Sequence, residues 1–472
     1  MKKLKIFNIN ANFSLALIFA ALLSGCSFRP DMPEVETSVQ MRYEFEHYNL
    51  NDKWWQDFND EKLNELILSA LANNSDLLIA LNNLESARIQ MNLTKIEFLP
   101  NSSLNASSLK NKSIGAEHSS KTHSLSASAS WEIDLWGRVR NSARAGIASF
   151  KASEYDYENA KISIIANVAN TYFTLVSLQD QEQILKDSLA SYEETLAYRK
   201  AEYESGNVDE LVYSQAKASV DDAKSQLVSL QDSLISTRTA LALLAGKDTS
   251  FILNGDTINT TPSNEISAPS VPSGIGADIL ERRPDVAAAL KRLKAANAQI
   301  GVSIANFFPK ISLTGVLGYS SSEFDRLITE QAKNWSYGGS LVMPLLDFGR
   351  TYQNTKLAYK DQNASLLNYD KTLKTALGEV HDALKLRQNA TAKLDASRNL
   401  QDSWQKVFML TKARFKEGYS THLEYLDAQR GLLSARLSYA KARLGIANAV
   451  VEVYKALGGG FKVEKPLASE LD

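Results

Sequence analysis

The chain of 472 residues is long enough for two to four ordinary domains or for one long repetitive assembly. Lys+Arg 52 against Asp+Glu 54 leave a formal net charge of −2, without the basic excess of a nucleic-acid-binding protein, and 44% hydrophobic with 22% charged residues is the composition of a folded chain. A mean hydropathy of −0.24 argues against a bundle of membrane-spanning helices, and the single cysteine, Cys26, excludes an internal disulfide or a thiolate zinc site.

The first element is an export signal over residues 1–25. Lys2, Lys3 and Lys5 precede an eleven-residue, mostly apolar run from Phe13 to Leu23, about half of the ~20 residues that cross a bilayer as a helix. Leu23-Ser24-Gly25-Cys26 looks like a bacterial lipobox, which makes Cys26 the acylated first residue of the mature protein. Several acyl chains would tether it stably, where one would not. Ser27 resembles the pattern sorted to the outer membrane. Residues 26–59 form the expected lipid-anchored segment.

From residue 60 the chain repeats itself. Asp76, Leu81, Leu84, Ala87, Gln90 and Pro100 recur 209 positions later as Asp285, Leu290, Leu293, Ala296, Gln299 and Pro309. Beyond Gly137-Arg138 the offset becomes 212, as Gly206, Tyr213, Ala216 and Gly246 recur as Gly418, Tyr425, Ala428 and Gly458. The chain thus holds two tandem repeats, over 60–248 and 276–458, with one loop three residues longer in the second. Residues 249–275, with Pro262, Pro269 and Pro272, form the connector, and 459–472 the tail.

Each repeat is predicted to open with a helix, about Asp60 to Phe98 and Ala277 to Phe307. A β-hairpin comes next, over 101–132 and 310–343, with Leu125, Ala127, Ala129 and Trp131 on one face and Ile311, Leu313, Gly315, Leu317 and Tyr319 on its mate. Segments of about ten residues with one apolar face fit tilted strands crossing a bilayer, although the first pair is polar enough to be a soluble hairpin. Proline-free runs then predict long helices over 139–204 and 351–416, the first about 99 Å long at 1.5 Å per residue. Gly206 and Gly418 end them as hairpin turns, and return helices run over 209–245 and 421–457. From Tyr213 to Leu244, and from Tyr425 to Ala456, apolar residues recur at 3,4 spacing, which is a coiled-coil seam.

Four strands cannot close a barrel, and an open edge in lipid leaves backbone groups unpaired. Two chains would give eight strands with a filled interior, and three would give twelve with a passage. The fold class is therefore mainly α with β: coiled-coil helices forming a periplasmic α-barrel, and four strands per chain contributing to a trimeric 12-stranded outer-membrane β-barrel.

Specific residues support this architecture. The lipobox at Cys26, Trp54-Trp55 with Phe58, and Leu280-Glu281-Arg282-Arg283-Pro284-Asp285 are three of them. Asp134-Leu135-Trp136-Gly137-Arg138, its mate Asp347-Phe348-Gly349-Arg350, and Leu457-Gly458-Gly459-Gly460-Phe461 complete the set. With these motifs across the mature chain, the protein resembles TolC-family outer-membrane efflux factors of the lipoprotein branch. The resemblance implies a homotrimer in outer-membrane lipid, a periplasmic adaptor (membrane fusion) protein, an inner-membrane RND-type transporter, and export of drugs or other small solutes. It also implies a periplasmic gate lined by acidic side chains. The matching positions are Glu424 and Asp427, on one helix face at i and i+3; their first-repeat equivalents are Val212 and Gln215. A basic residue that takes part in closure in some relatives falls here on Ser420, so Tyr419, Tyr425 or a hydrogen bond from Ser420 would stand in. An ordinary solvated helix face is the alternative for Glu424 and Asp427.

His47, His118, His123, His381 and His422 are scattered without metal-ligand spacing, and no nucleophile motif or phosphate loop appears. The expectation is a non-enzymatic protein without a cofactor. Rival readings are an exit channel for type I polypeptide secretion, a structural coiled-coil lipoprotein without channel activity, and a periplasmic lipoprotein enzyme on a helical scaffold.

Overall fold

The structure is a computed structural model that describes residues 28–33, 53–115, 118–254, 258, 260–262, 269 and 283–461. The expected leader, Cys26, most of 26–59, Glu281, Arg282 and residues 462–472 lie outside them. The chain divides into two compact units: one comprises residues 1–37, 83–154 and 288–371, and the other 38–82, 155–287 and 372–472. Each unit draws on both repeats.

The elements run α1 (Glu61–Asn73), α2 (Ser75–Ile96), β1 (Asn101–Asn111), β2 (Ser120–Ile133), α3 (Arg138–Glu204), α4 (Glu210–Leu244) and a short α5 (Thr249–Leu253). Then come α6 (Pro284–Ala305), β3 (Lys310–Ser321), β4 (Lys333–Val342), α7 (Arg350–Lys416) and α8 (His422–Ala456). Both ends of α3 and α7, and of α4 and α8, are 212 positions apart, so the duplication is kept to the residue. The extra residues of the second copy lie between β3 and β4, where 3-10 turns at Phe324–Arg326 and Glu330–Ala332 fill the loop.

The first unit holds one antiparallel sheet in the order β1-β2-β3-β4. Its register follows from the apolar alternation, since a slip by one residue would turn every side chain to the other face. Below the sheet, Phe28 stacks on Phe308 and Phe308 on Trp136, each at 4.8 Å, and the Trp136 indole N–H donates to the Pro309 carbonyl at 2.8 Å. The paired Asp-…-Gly-Arg motifs have the same local function. Gly137 and Gly349 take left-handed φ of 76° and 81°. Asp134 then accepts from the Val139 and Arg140 N–H groups, and Asp347 from Thr351, capping otherwise unpaired donors where α3 and α7 begin.

The second unit has its core around Trp54, Trp55, Phe58, Tyr172, Phe173 and Tyr454. Trp54 stacks on Tyr454 at 4.9 Å. Buried Asp60 caps α1 through the Lys62 and Leu63 N–H groups and accepts from the hydroxyls of Thr261 at 2.8 Å and Tyr172 at 2.7 Å. Burial holds the Tyr172 hydroxyl well above its ordinary pKa, so it remains a donor. Every seam position of α4 and α8 is buried or half-buried.

Two local expectations change. The single helix from Asp60 to Phe98 is broken at Asn74, whose backbone is extended at ψ 125°. Its side chain accepts from the Leu77 N–H at 3.1 Å to start α2 and donates to the Leu244 carbonyl at 2.9 Å. Tertiary pairing thus overrides helix periodicity at this point. The strands of the first hairpin extend further than the apolar alternation, which leaves His123 inside β2, edge-on to Phe324 at 5.5 Å, and only His118 in the loop. No helix among the described residues is long and apolar enough to cross a membrane.

Asp60→Ala is expected to lower stability by about 2–4 kcal/mol, because a cap is lost and the buried Tyr172 and half-buried Thr261 hydroxyls lose their acceptor. Thermal or denaturant unfolding of the purified protein measures it. A loss within about 0.5 kcal/mol, ordinary for surface changes, would show that the network contributes little.

Candidate functional site

The two hairpin turns have the same backbone solution. At the end of α3 the Asn207 N–H donates to the Glu202 carbonyl at 2.8 Å, and Gly206 has φ 75°. At the end of α7 the Tyr419 N–H donates to the Arg414 carbonyl at 2.8 Å, and Gly418 has φ 77°. Both are glycine C-caps of the Schellman type, in which a side chain at the glycine position would be strained.

The turns differ in how the next helix is capped. Asp209 alone caps α4, accepting from the Val212 N–H. The cap of α8 is a capping box: Thr421 Oγ1 accepts from the Glu424 N–H at 3.2 Å, and Glu424 Oε2 accepts from the Thr421 N–H at 2.9 Å. Glu424 Oε2 also accepts from the Ser420 hydroxyl. That hydroxyl bond, the Thr421 N–H and the charge of Arg414 hold the Glu424 carboxyl below its ordinary range. It is exposed and ionised at neutral pH. Asp427, one turn on, is also exposed and has no hydrogen-bond or ion-pair partner among the described residues.

Tyr425 does not share this face. It is buried, stacked on Phe415 at 4.8 Å, with its hydroxyl 3.4 Å from Gln429 Nε2. Burial raises its pKa against opposing bonds to Thr195 and Ser191. Of the residues expected to stand in for a basic partner, Ser420 binds Glu424 within its own turn, Tyr419 is 75% exposed, and Tyr425 faces the helix packing.

A second cluster escaped the sequence reading. Arg199, on α3, donates from Nε to Nδ1 of His422 at 3.2 Å, lies over the Phe415 ring at 4.7 Å and pairs with Glu202. Arg199 and His422 are both buried. Nearby, Gln429 donates to Ser191 at 3.1 Å and Arg430 to Ser219 at 2.9 Å, so α8 is tied to the first hairpin by polar contacts. The one sequence signal was that His422 lies three residues before Tyr425, on the same helix face; its partner is 223 positions away.

The sheet presents two different faces. One has Leu104, Ala127, Leu125, Leu317, Trp335 and Tyr337 at facing register positions, and Trp335 stacks on Tyr337 at 5.7 Å. The other is made mainly of small polar residues. Leu104, Leu317, Trp335 and Tyr337 are 55–82% exposed within the chain. Such a contiguous apolar face on one side of a sheet marks a lipid contact.

Antiparallel strands with one apolar face, joined to duplicated coiled-coil hairpins, define the class of outer-membrane channel subunits. The chain belongs to the outer membrane efflux protein family, whose pattern matches residues 66–247 and 276–459. It is 30% identical to the solvent efflux pump outer membrane protein SrpC of Pseudomonas putida, over 96% of this chain and 99% of that one. To the cation efflux system protein CusC of Escherichia coli K12 it is 29% identical, over 94% and 99%. The crystal structure of the Campylobacter jejuni CmeC outer membrane channel superposes with a TM-score of 0.87 at 31% identity, covering 94% of this chain and 98% of that one. The protein is an outer-membrane efflux channel, as its motifs led us to expect.

Burial first, and then the neighbouring Arg199, lower the His422 pKa from 6.5 to about 4 against the pull of Glu202. Its folded pKa is depressed, so the stability it permits is full above about pH 6.5 and is lost as pH falls towards 4. Relative to His422→Leu, the wild type should lose up to about 3 kcal/mol across that window. Unfolding midpoints measured from pH 7.5 to 4 test this; parallel curves for the two proteins would refute it.

Proposed function

We propose that three copies of this chain close into one duct. In this reading the duct is the exit of a tripartite efflux pump, served by a periplasmic adaptor and energised by an inner-membrane RND-type transporter. The sheet carries the proposal. Its order leaves β1 and β4 as edges, and edges in hydrocarbon cost several kcal/mol per unpaired group. Pairing β1 with β4 of the next copy removes them. Three copies give twelve strands, the smallest closed assembly of these chains with room for a passage.

Cys26 is the proposed lipid anchor. It precedes by two residues Phe28, which stacks against Phe308 beside the start of β3. The protein works as a conduit and not as an enzyme. Drugs and other small solutes are its proposed cargo. The named roles of SrpC in solvent efflux and CusC in cation efflux favour small solutes over a secreted polypeptide, and a shared exit whose selectivity lies mainly in the inner-membrane partner.

Glu424 and Asp427 are the proposed acidic constriction, at the turn ended by Gly418. Threefold symmetry would bring their exposed carboxylates around one axis and attract cations. Glu424 also belongs to the capping box, so the two roles need separate removal. Glu424→Gln keeps the box, because Gln serves at this position, and removes the charge. With Asp427→Asn it is expected to raise the half-blocking concentration of a trivalent cation, added from the periplasmic side of a planar bilayer, by about tenfold or more. Equal block of the variant and wild type would overturn the acidic constriction. A monomer without conductance would overturn the duct itself. Cys26→Ser should stay in the membrane through its strands, and its full release to the soluble fraction would disprove their insertion.

A further inference from the structure

The register of the sheet determines which residues line the face opposite the apolar one. From Ser120 to Ser130, every residue of β2 on that face is Ser or Thr. β1 contributes Asn101, Ser103, Asn105, Ser107, Leu109 and Asn111. On β3 the face runs Ser312, Thr314, Val316, Gly318, Ser320, and on β4 Asn334, Ser336, Gly338, Ser340, Val342. None of these carries a charge. The nearest charges on the face are Glu132 and Lys310, both at the end next to the helices. Arg138 binds Glu132 twice, at 2.8 and 3.0 Å, and neutralises it.

Some of the hydroxyls also satisfy one another. Ser103 pairs with Ser128 and Ser107 with Ser124, each at 2.8 Å, while Asn105 donates to Ser103 at 3.2 Å. Hydroxyls bonded across the strands present a wetted surface with little unmet demand for a solute. The side chains are small, and at Gly338 nothing stands within 4 Å of where a Cβ would be. The bulky residues Trp131, Trp335 and Tyr337 all lie on the opposite face.

We infer that the strand section of the passage is a charge-neutral, hydroxyl-lined wall that discriminates by size and not by sign of charge. This rests on the closed trimer proposed above, in which the apolar face meets lipid and the hydroxyl face meets water. Neutral, cationic and anionic solutes then pass this section alike. Any preference of the whole channel for one sign arises outside it.

Thiol labelling tests the wall independently of Glu424 and Asp427. Ser126 lies between Asn105 and Gly318 on the hydroxyl face, and Leu125 is its neighbour on the apolar face. In the full-length protein with Cys26→Ser, reconstituted in liposomes, Ser126→Cys is exposed to a cationic and to an anionic methanethiosulfonate. Rates are divided by those of each reagent with a free thiol in solution. A ratio near one is expected, whereas a charged wall would concentrate one reagent by about tenfold or more. A skewed ratio in a conducting channel overturns the neutral wall alone. Leu125→Cys should react with neither reagent, and labelling at the rate of Ser126→Cys would overturn the assignment of the faces. Modification of Ser126→Cys should lower single-channel conductance, and an unchanged conductance would show that this face does not line the passage. No conductance in the unmodified protein would overturn the closed trimer and the neutral wall with it.

Discussion

A backbone N–H or C=O group in hydrocarbon must find a partner, and this requirement governs the rest of the architecture. The sheet pairs β1 to β2, β2 to β3 and β3 to β4, leaving one side of β1 and one side of β4 open. A soluble protein could cover such edges with a loop or with charged side chains. Here the apolar face that includes Leu104, Leu125, Leu317 and Trp335 puts the edges where water cannot serve them. Closure by further copies of the chain is the physical answer, and it makes the channel a property of the assembly. The duplication suits this end, since two similar halves each supply one hairpin to a ring.

Duplication also shows where the halves have diverged. Gly206 and Gly418 have φ within a few degrees of one another, and the same carbonyl-to-amide bonds close both turns. The first residues of the return helices differ. Val212 fills the position that Glu424 occupies in the second copy, so the capping box, and a carboxylate at this position, belong to one hairpin only. On the buried side, His422 and Gln429 meet Arg199 and Ser191 of the first hairpin. One end of α8 therefore presents acid to solvent and polar groups to its neighbours, whereas its middle and far end, from Leu432 to Ala456, are packed mainly by apolar residues. A polar contact between hairpins is more sensitive to proton concentration and water than an apolar seam.

Much of this was legible in the sequence because it depends on spacing. The 3,4 rhythm from Tyr213 to Leu244 and from Tyr425 to Ala456 is a local property of a helix with one buried stripe, and each of those positions is buried or half-buried. Alternation in β2 and β3 identified the apolar face by the same logic. Asn74 was not legible. A residue of ordinary helix propensity breaks the helix because the Leu244 carbonyl and the Leu77 amide are both within its reach. Tyr425 was expected to stand in for a basic partner of the acids, but its ring is turned inward onto Phe415, as befits the seam position it also occupies.

By itself, the sequence determined the duplication, the order of the elements, the apolar sides of strands and helices, and the membership of the efflux channel family. Each of these follows from periodicity or from short motifs whose residues act within a few positions of one another. Only the tertiary structure decided that Arg199 meets His422, that Asp60 joins Tyr172 to Thr261, and that the serines of β1 and β2 bond to one another across the sheet. Those partners are separated by 17 to 223 positions. Their pairing depends on which helix faces and strand edges pack together, information that no local pattern contains.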